Sequence, residues 1–341
     1  MCGIAAVLSR HAPTNPETIR AAMASLHHRG PDGRQHWISG DGRVALGHTR
    51  LSIIDLTTGD QPISNEDSTI HIVVNGEFYD FERMRTELQS RGHSFRTKSD
   101  SEIALHLYEE YGPECLHHLR GEYAFVIWDE RNHQLMAGRD RFGVKPLFYS
   151  EHDGALYLAS EAKALFAMGV PAGWSHDAVY AGGFVLPGER TLFHGVHAVP
   201  PGNYLRATRE SHRIHEYWDV DYPRDDIPPP PRSDQECIDG FRVVLEEAVK
   251  TRLRADVPVG CYLSGGIDSC AVLALASLHH DGPVRAYTLT FDGPQYDESV
   301  IAEEISLTAA GVDNILSEQG LAVTTLATED WDVDVYRRPR G

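Results

Sequence analysis

Apolar residues fall in short runs through the first two thirds of the chain. "GIAAVL" at residues 3–8 reads as a half-buried first strand. Further strand-like runs follow: "TIHIVVNGEFYD", "EYAFVIWDE", "QLMAGRD", "LFYSE" and "ALYLASE". Two helical patterns sit among them, "SEIALHLYEEYG" and a shorter one from Glu17 to Leu26. Strands in hairpin-like order with a few helices predict an α+β domain.

The rhythm breaks at "DYPRDDIPPPPRSD", residues 221–234. Four consecutive prolines can continue neither a helix nor a central strand, so residues 218–235 are expected to be an extended linker. Beyond it "CIDGFRVVLEEAVKTRLR" reads as a helix and "VPVGCYL" as a buried strand. "SCAVLALASLHH" then reads as a helix and "VRAYTLTF" as a second strand. That alternation predicts a parallel α/β sheet. No internal repeat is present.

Composition narrows the classes of partner. A chain of 341 residues favours two domains, and 41% hydrophobic residues suffice for a sizeable core. The formal net charge of −19 argues against general binding to nucleic acid or an anionic membrane. No apolar run approaches 18 residues, and the first residues lack the basic stretch and core length of a secretory signal. The five cysteines (Cys2, Cys115, Cys237, Cys261, Cys270) lack CxxC spacing and read as reduced, cytoplasmic thiols. Among the 19 histidines are the pairs His27-His28, His117-His118 and His279-His280, without HExxH or a Cys/His cluster. Solvated or capping roles, and no metal, are expected there.

The half-buried strand leaves Cys2 unexplained. Removal of the initiator before a small residue would give Cys2 a free α-amino group. That amine, with an ordinary pKa of about 7.7–8.0, is a base carried by the nucleophile's own residue. It can take the thiol proton directly or through one water.

Six segments occur in order: "MCGIAAVL", "LHHRGPDG", "GHTRLSIIDL", "VVNGEFYD", "TKSDSEIALHLYEEYG" and "RDRFGVKPLFY". Together they resemble the glutaminase domain of class II glutamine amidotransferases, specifically asparagine synthetase of the glutamine-hydrolysing type. The resemblance runs from Met1 to about Tyr217 and implies an α+β N-terminal-nucleophile (αββα) sandwich over residues 2–217. It implies that Cys2 attacks the glutamine amide, with the Asn75 side chain and Gly76 N–H as the oxyanion hole. Arg50 would hold the substrate carboxylate, Glu77 and Asp100 its ammonium, and Leu51, Ser52, Ile53 and Ile54 would complete the glutamine site. The chemistry is coherent, because a zwitterionic amino acid needs one cation and at least one carboxylate. A tetrahedral oxyanion likewise needs preorganised donors.

Local structure supplies other readings of the same residues. Asn75-Gly76 is a hairpin-turn signal. Ser99 to Glu102 scans as a capping box with Ser99 at the cap and Glu102 at the third position. "HHRGPDG" and "RDRFGVKPL" read as fold-defining turns and ion pairs.

In the second half, "CYLSGGIDSCAVLALA" places a glycine-rich turn between a buried strand and a helix. Its backbone N–H groups and the helix N-terminus form an anion site, and it lacks the lysine of a Walker A loop. It resembles the pyrophosphate loop of ATP pyrophosphatases, which activate carboxylates by adenylation. The resemblance implies that Ser264, Gly265, Gly266 and Ser269 cradle the phosphates of ATP. Asp268 would meet Mg²⁺–pyrophosphate, and Leu263 and Leu289 would line the adenine pocket.

The combined expectation is glutamine-dependent asparagine synthesis, with ammonia passing through the interior to β-aspartyl-AMP. A related amidotransferase for another carboxylate, or a truncated paralogue retaining only glutaminase activity or a non-catalytic partner role, stays open. The expected partners are glutamine, aspartate and ATP, without nucleic acid or membrane, and with a homodimer as an open assembly state. From about Ser306 the text loses the resemblance and shows no clear βα units. The second domain, residues 236–341, is therefore expected to be an incomplete α/β Rossmann-like ATP-pyrophosphatase domain of a truncated or frame-shifted gene. Little asparagine synthesis is expected of it.

Overall fold

A computed structural model of the chain describes residues 1–181, 186–222, 231–282, 284–290 and 322–327. It divides into two compact units, Met1–Asp225 and Asp226–Gly341. Residues 223–230, including most of the proline run, lie outside the described residues.

The first unit runs β1 (Gly3–Ser9), α1 (Pro16–Ser25), β2 (Gly33–Ile38), β3 (Val44–Arg50), β4 (Ile63–Ser64) and β5 (Ile70–Phe78). Next come α2 (Phe81–Ser90), α3 (Glu102–Tyr111), α4 (Cys115–His118), β6 (Gly121–Asp129), β7 (Gln134–Arg139), β8 (Phe148–His152) and β9 (Ala155–Ala159). It ends with α5 (Ala162–Ala167), α6 (His176–Tyr180), β10 (His197–Ala198), β11 (Asn203–Ala207) and β12 (His212–Glu216). The strands form two antiparallel sheets, ordered β10-β8-β9-β1-β3-β2 and β12-β11-β7-β6-β5-β4.

Period-two alternation sorts each strand's residues between two cores. In β1, Ile4, Ala6 and Leu8 enter the core between the sheets, while Ala5 and Val7 pack with Ile19 and Ala22 of α1 and Leu165 of α5. In β5, Val73 enters the central core, while Ile72 and Val74 meet Met84 and Leu88 of α2 and Ile103 and Leu107 of α3. Both sheets are thus covered on both faces, which is the αββα layering. It explains why these strands read as unbroken apolar runs.

The second unit runs α7 (Asp234–Arg252), β13 (Gly260–Tyr262), α8 (Ile267–His279), β14 (Arg285–Thr290) and β15 (Ala322–Ala327). The strands form a parallel sheet in the order β13-β14-β15. A capping box opens α7: the Ser233 hydroxyl accepts from the Glu236 N–H at 3.3 Å, and the Glu236 carboxylate accepts from the Ser233 N–H at 2.8 Å. Val249, Leu263, Leu273, Ala276, Val284 and Ala286 form the small core. One correction falls here. The sequence shows no clear βα unit after Ser306, yet "AVTTLA" forms β15 and pairs in parallel with all of β14. At six residues, without alternation of apolar and polar positions, the run does not stand out as a strand before its partner is known.

Candidate active site

Cys2 stands at the head of β1, where Gly3 pairs with Thr49 of β3 and brings the thiol beside Arg50. The Leu51 N–H donates to Cys2 Sγ at 3.4 Å, and Sγ donates to the Leu51 carbonyl at 3.6 Å. Arg29 Nε donates to the Cys2 carbonyl at 2.9 Å while its Nη1 meets Glu161 at 2.8 Å. Burial, foremost, pushes the thiol above its ordinary pKa, and the Leu51 amide opposes this. The Met1 ammonium is lowered, again chiefly by burial.

A cleft opens beside Cys2. Arg50, Leu51, Ile53, Ile54, Asn75, Gly76, Glu77 and Asp100 all line it. Ser52 does not: its N–H donates to Asp32 at 2.8 Å. Gly59, Gln61, Ser99, Ser101 and Lys145 also line the cleft, unforeseen from sequence. Lys145 pairs with Glu122 at 3.5 Å.

Asn75 and Gly76 do not form a hairpin turn. They lie inside β5, opposite Ala124 and Tyr123 of β6, because the flanking apolar residues are buried on both faces and extend the strand through them. Glycine is required at 76 by proximity, since a Cβ there would stand 2.3 Å from the Glu122 carbonyl oxygen. The Val74 N–H donates to Gln61 Oε1 at 2.6 Å and the Phe78 N–H to Asp100 Oδ2 at 2.7 Å. By the strand's period the Gly76 N–H points to that same edge, away from β6. The Asn75 carboxamide is wholly buried, and neither Oδ1 nor Nδ2 has a hydrogen-bond partner. An orphaned buried amide costs about 1–3 kcal/mol, so this residue is held in place at the expense of stability.

The expected capping box at Ser99 also fails. The cap of α3 is Ser101, and the Glu102 carboxylate instead accepts the N–H groups of Arg96 and Thr97, each at 2.7 Å. The turn is occupied by Asp100, which accepts from Phe78 and from the Ser99 hydroxyl. Burial, with Glu77 adding repulsion, raises the Asp100 carboxyl to about 6. Arg50 donates to Asp60 at 3.0 Å and to the carbonyls of Ile54 and Asp55. His48 Nε2 donates to the Val74 carbonyl at 3.1 Å, tying β3 to β5 one residue from Asn75 and two from Arg50. Burial drives that imidazole down to about 3, so it stays neutral.

"HHRGPDG" and "RDRFGVKPL" do form turns and ion pairs, as expected. Asp140 accepts the N–H groups of Phe142, Val144 and Lys145, which places Lys145 at the cleft.

In the second unit, Leu263 to Gly266 link β13 to α8, with Gly265 at φ +79°, and Asp268 and Ser269 stand in the first turn of the helix. The Ser264 and Ser269 hydroxyls lie 3.2 Å apart, and Ser269 Oγ donates to the Gly266 carbonyl at 2.9 Å. Asp268 is exposed, whereas Leu263 is buried in the core against Val249 and Ala286. Leu289 is in β14 opposite Leu326.

The four-layer αββα sandwich is the fold of N-terminal-nucleophile glutamine amidotransferases. The chain belongs to that family: the glutamine amidotransferase domain matches residues 1–218, and asparagine synthase matches residues 240–324. The second match runs past Ser306, so the likeness extends further than the sequence reading places it. Amidase chry2 of Gibberella zeae is 42% identical over 329 residues, covering 89% of this chain and 49% of that protein. Asparagine synthetase (glutamine-hydrolyzing) 1 of Bacillus subtilis is 33% identical over 321 residues, covering 92% and 50%. The chain thus spans about half the length of these relatives. In fold it is similar to glutamine phosphoribosylpyrophosphate amidotransferase from B. subtilis, with a TM-score of 0.50 at 18% identity, over 96% of this chain and 81% of that one. Among the described residues no helix is long and apolar enough to cross a membrane.

Proposed function

We propose that the first unit hydrolyses the side-chain amide of glutamine at Cys2 and supplies the ammonia for an ATP-driven amidation. The observation that carries this is the buried, unpartnered Asn75 carboxamide lining the Cys2 cleft, with the Gly76 N–H on the same strand edge. Once Met1 is removed, the Cys2 α-amine takes the thiol proton as Sγ attacks the amide carbon. The oxyanion is met by Asn75 Nδ2 and the Gly76 N–H. The amine then protonates the leaving nitrogen, ammonia departs, and water hydrolyses the thioester. Glu77 and Asp100 receive the ammonium of glutamine. Arg50 receives its carboxylate and exchanges Asp60 for it.

In the second unit the hydroxyls and N–H groups of Ser264, Gly265, Gly266 and Ser269 suit the phosphates of ATP. Asp268 is a hard oxygen donor suited to the accompanying Mg²⁺. Leu263 and the Leu289 position flank the loop on adjacent strands, and Leu263 contributes backbone only. The first reading of the acceptor is aspartate, supported by the asparagine synthase match. A different carboxylate is the second reading, favoured by the higher identity to Amidase chry2.

The test is glutamine hydrolysis by the purified chain without ATP. Glutamate and ammonia should appear in equal amounts, and Cys2→Ala should lower the rate on the order of 10⁴-fold or more. Unchanged hydrolysis in Cys2→Ala, or active protein retaining Met1, overturns the mechanism. Pyrophosphate release with ammonium chloride, ATP and magnesium, with or without aspartate, decides the acceptor.

A further inference from the structure

Away from the cleft, Glu66, His93, His106 and Glu109 present one ligand atom each, all within 4.8 Å of one another. Glu66 follows β4, His93 lies between α2 and α3, and His106 and Glu109 stand nearly one turn apart on α3. Three distances describe the cluster: 2.8 Å from His106 Nδ1 to Glu109 Oε2, 3.6 Å from His93 Nδ1 to the same oxygen, and 4.0 Å from His106 Nδ1 to Glu66 Oε2. Ligands about 2.0–2.2 Å from a tetrahedral ion stand at comparable separations from each other.

The outward atom of each residue has its own neighbour. Glu66 Oε1 accepts the Ser94 N–H at 2.7 Å, and Glu109 Oε1 accepts from Asn65 Nδ2 at 2.7 Å. His93 Nε2 meets Glu110 at 2.9 Å. His106 Nε2 is buried without a hydrogen-bond partner and faces the fully buried Glu102 carboxylate at 3.6 Å. The Glu110 carboxylate behind His93 is the outer-shell arrangement that orients metal-binding histidines, and Glu102 stands behind His106 beyond hydrogen-bond distance. Two imidazoles and two carboxylates balance a divalent charge and suit a zinc-like ion. Glu66, 38% exposed, leaves an entry path.

We propose that Glu66, His93, His106 and Glu109 bind a first-row divalent cation of the zinc type, pinning the β4–β5 turn and the α2–α3 loop to α3. Spacing conceals the site, because only two of its ligands share an element.

The experiment titrates the full chain with ZnCl₂ and with CoCl₂. About one equivalent of Zn²⁺ should bind and raise the Tm, reversed by EDTA, and Co²⁺ should show four-coordinate d–d absorption without a thiolate charge-transfer band. Glu66→Gln, at the exposed edge of the cluster, and His93→Gln should each weaken binding at least tenfold with an unchanged circular dichroism spectrum. Glu110→Gln, behind His93, should cost about 10–100-fold. Absence of binding would leave the cluster a protein-internal ion-pair network and overturn the proposal. Binding unaltered in Glu66→Gln and His93→Gln, or a thiolate band pointing to the cysteines, would overturn it equally. The wild-type Tm measurement decides even if a variant fails to fold.

Discussion

The Cys2 cleft and the Ser264–Ser269 loop both gather polar groups at a strand end, but they treat water oppositely. In the cleft, Asn75 is 0% exposed and Asp100 4%, and the carboxamide has no partner. In the loop, Asp268 is exposed and the two serine hydroxyls bond to each other and to their own turn. The cleft keeps the Asn75 carboxamide out of solvent without a partner, and the fold bears the cost. The loop satisfies itself, and a ligand must displace those bonds. The surrounding cores match: α7 buries Val249 alone, whereas both sheets of the sandwich are covered on both faces.

Asn75→Ala should sharpen this contrast most. Loss of one oxyanion donor should lower kcat by about 10²–10³ with a smaller change in KM. Because the amide is orphaned, the Tm should be unchanged or higher by up to about 2–4 °C. Thermal melting with steady-state glutaminase kinetics checks both, and a loss of several degrees would make Asn75 a structural residue. Gly76→Ala attacks the same edge by sterics. Its Cβ would stand 2.3 Å from the Glu122 carbonyl oxygen, so β5 and β6 must shift, at about 1–3 kcal/mol. A Tm equal to wild type would show that the strands part freely.

The sandwich was legible because strands buried on both faces give continuous apolar text, as in "IHIVV" and "AFVIW". The same burial explains the error at Asn75-Gly76, where a turn-forming dipeptide is overridden by tertiary packing on both sides. Ser99 to Glu102 misled for a related reason: the side chains that match a capping box are drawn to the Asp100 turn and to the Arg96 and Thr97 amides. Gln61 and Lys145 had no local signature, since they reach the cleft only through pairings between distant segments, and Arg29 meets the Cys2 carbonyl in the same way. Of the named glutamine-site residues, Ser52 alone stands outside the cleft.

Asp100 tests whether burial of a carboxylate in the cleft has a kinetic consequence. Its carboxyl, raised from 3.8 to about 6, takes up a proton as the pH falls through that range and loses the charge that attracts an ammonium. kcat/KM for glutamine should therefore fall about tenfold per pH unit below 6. Asp100→Asn should raise KM more than it lowers kcat, and should abolish this acid limb. The stability sign is the reverse of an ion-paired carboxylate's. The native state holds this proton more tightly than the unfolded chain, so ionisation costs stability as the pH rises from 3.8 to about 6. Asp100→Asn should accordingly melt no lower than wild type at pH 7. An acid limb that persists in this variant would assign it to another group.

The smallest effects belong to the open loop. Ser264→Ala and Ser269→Ala each remove a hydroxyl bonded to its neighbour in the free chain. A phosphate would therefore gain only the difference between the new bond and the old one. Neutral hydrogen bonds contribute about 0.5–1.5 kcal/mol net, so each variant should weaken ATP binding roughly three- to tenfold. Most of the anion's stabilisation should come from backbone N–H groups and the N-terminus of α8, which these variants keep. Calorimetric titration with Mg-ATP measures the loss, and the ATP-free glutaminase rate supplies the control. A hundredfold loss of affinity would mean that the hydroxyls, not the backbone, hold the phosphates. A matching fall in glutamine hydrolysis would break the contrast itself, because loop and cleft would then no longer act as separate sites.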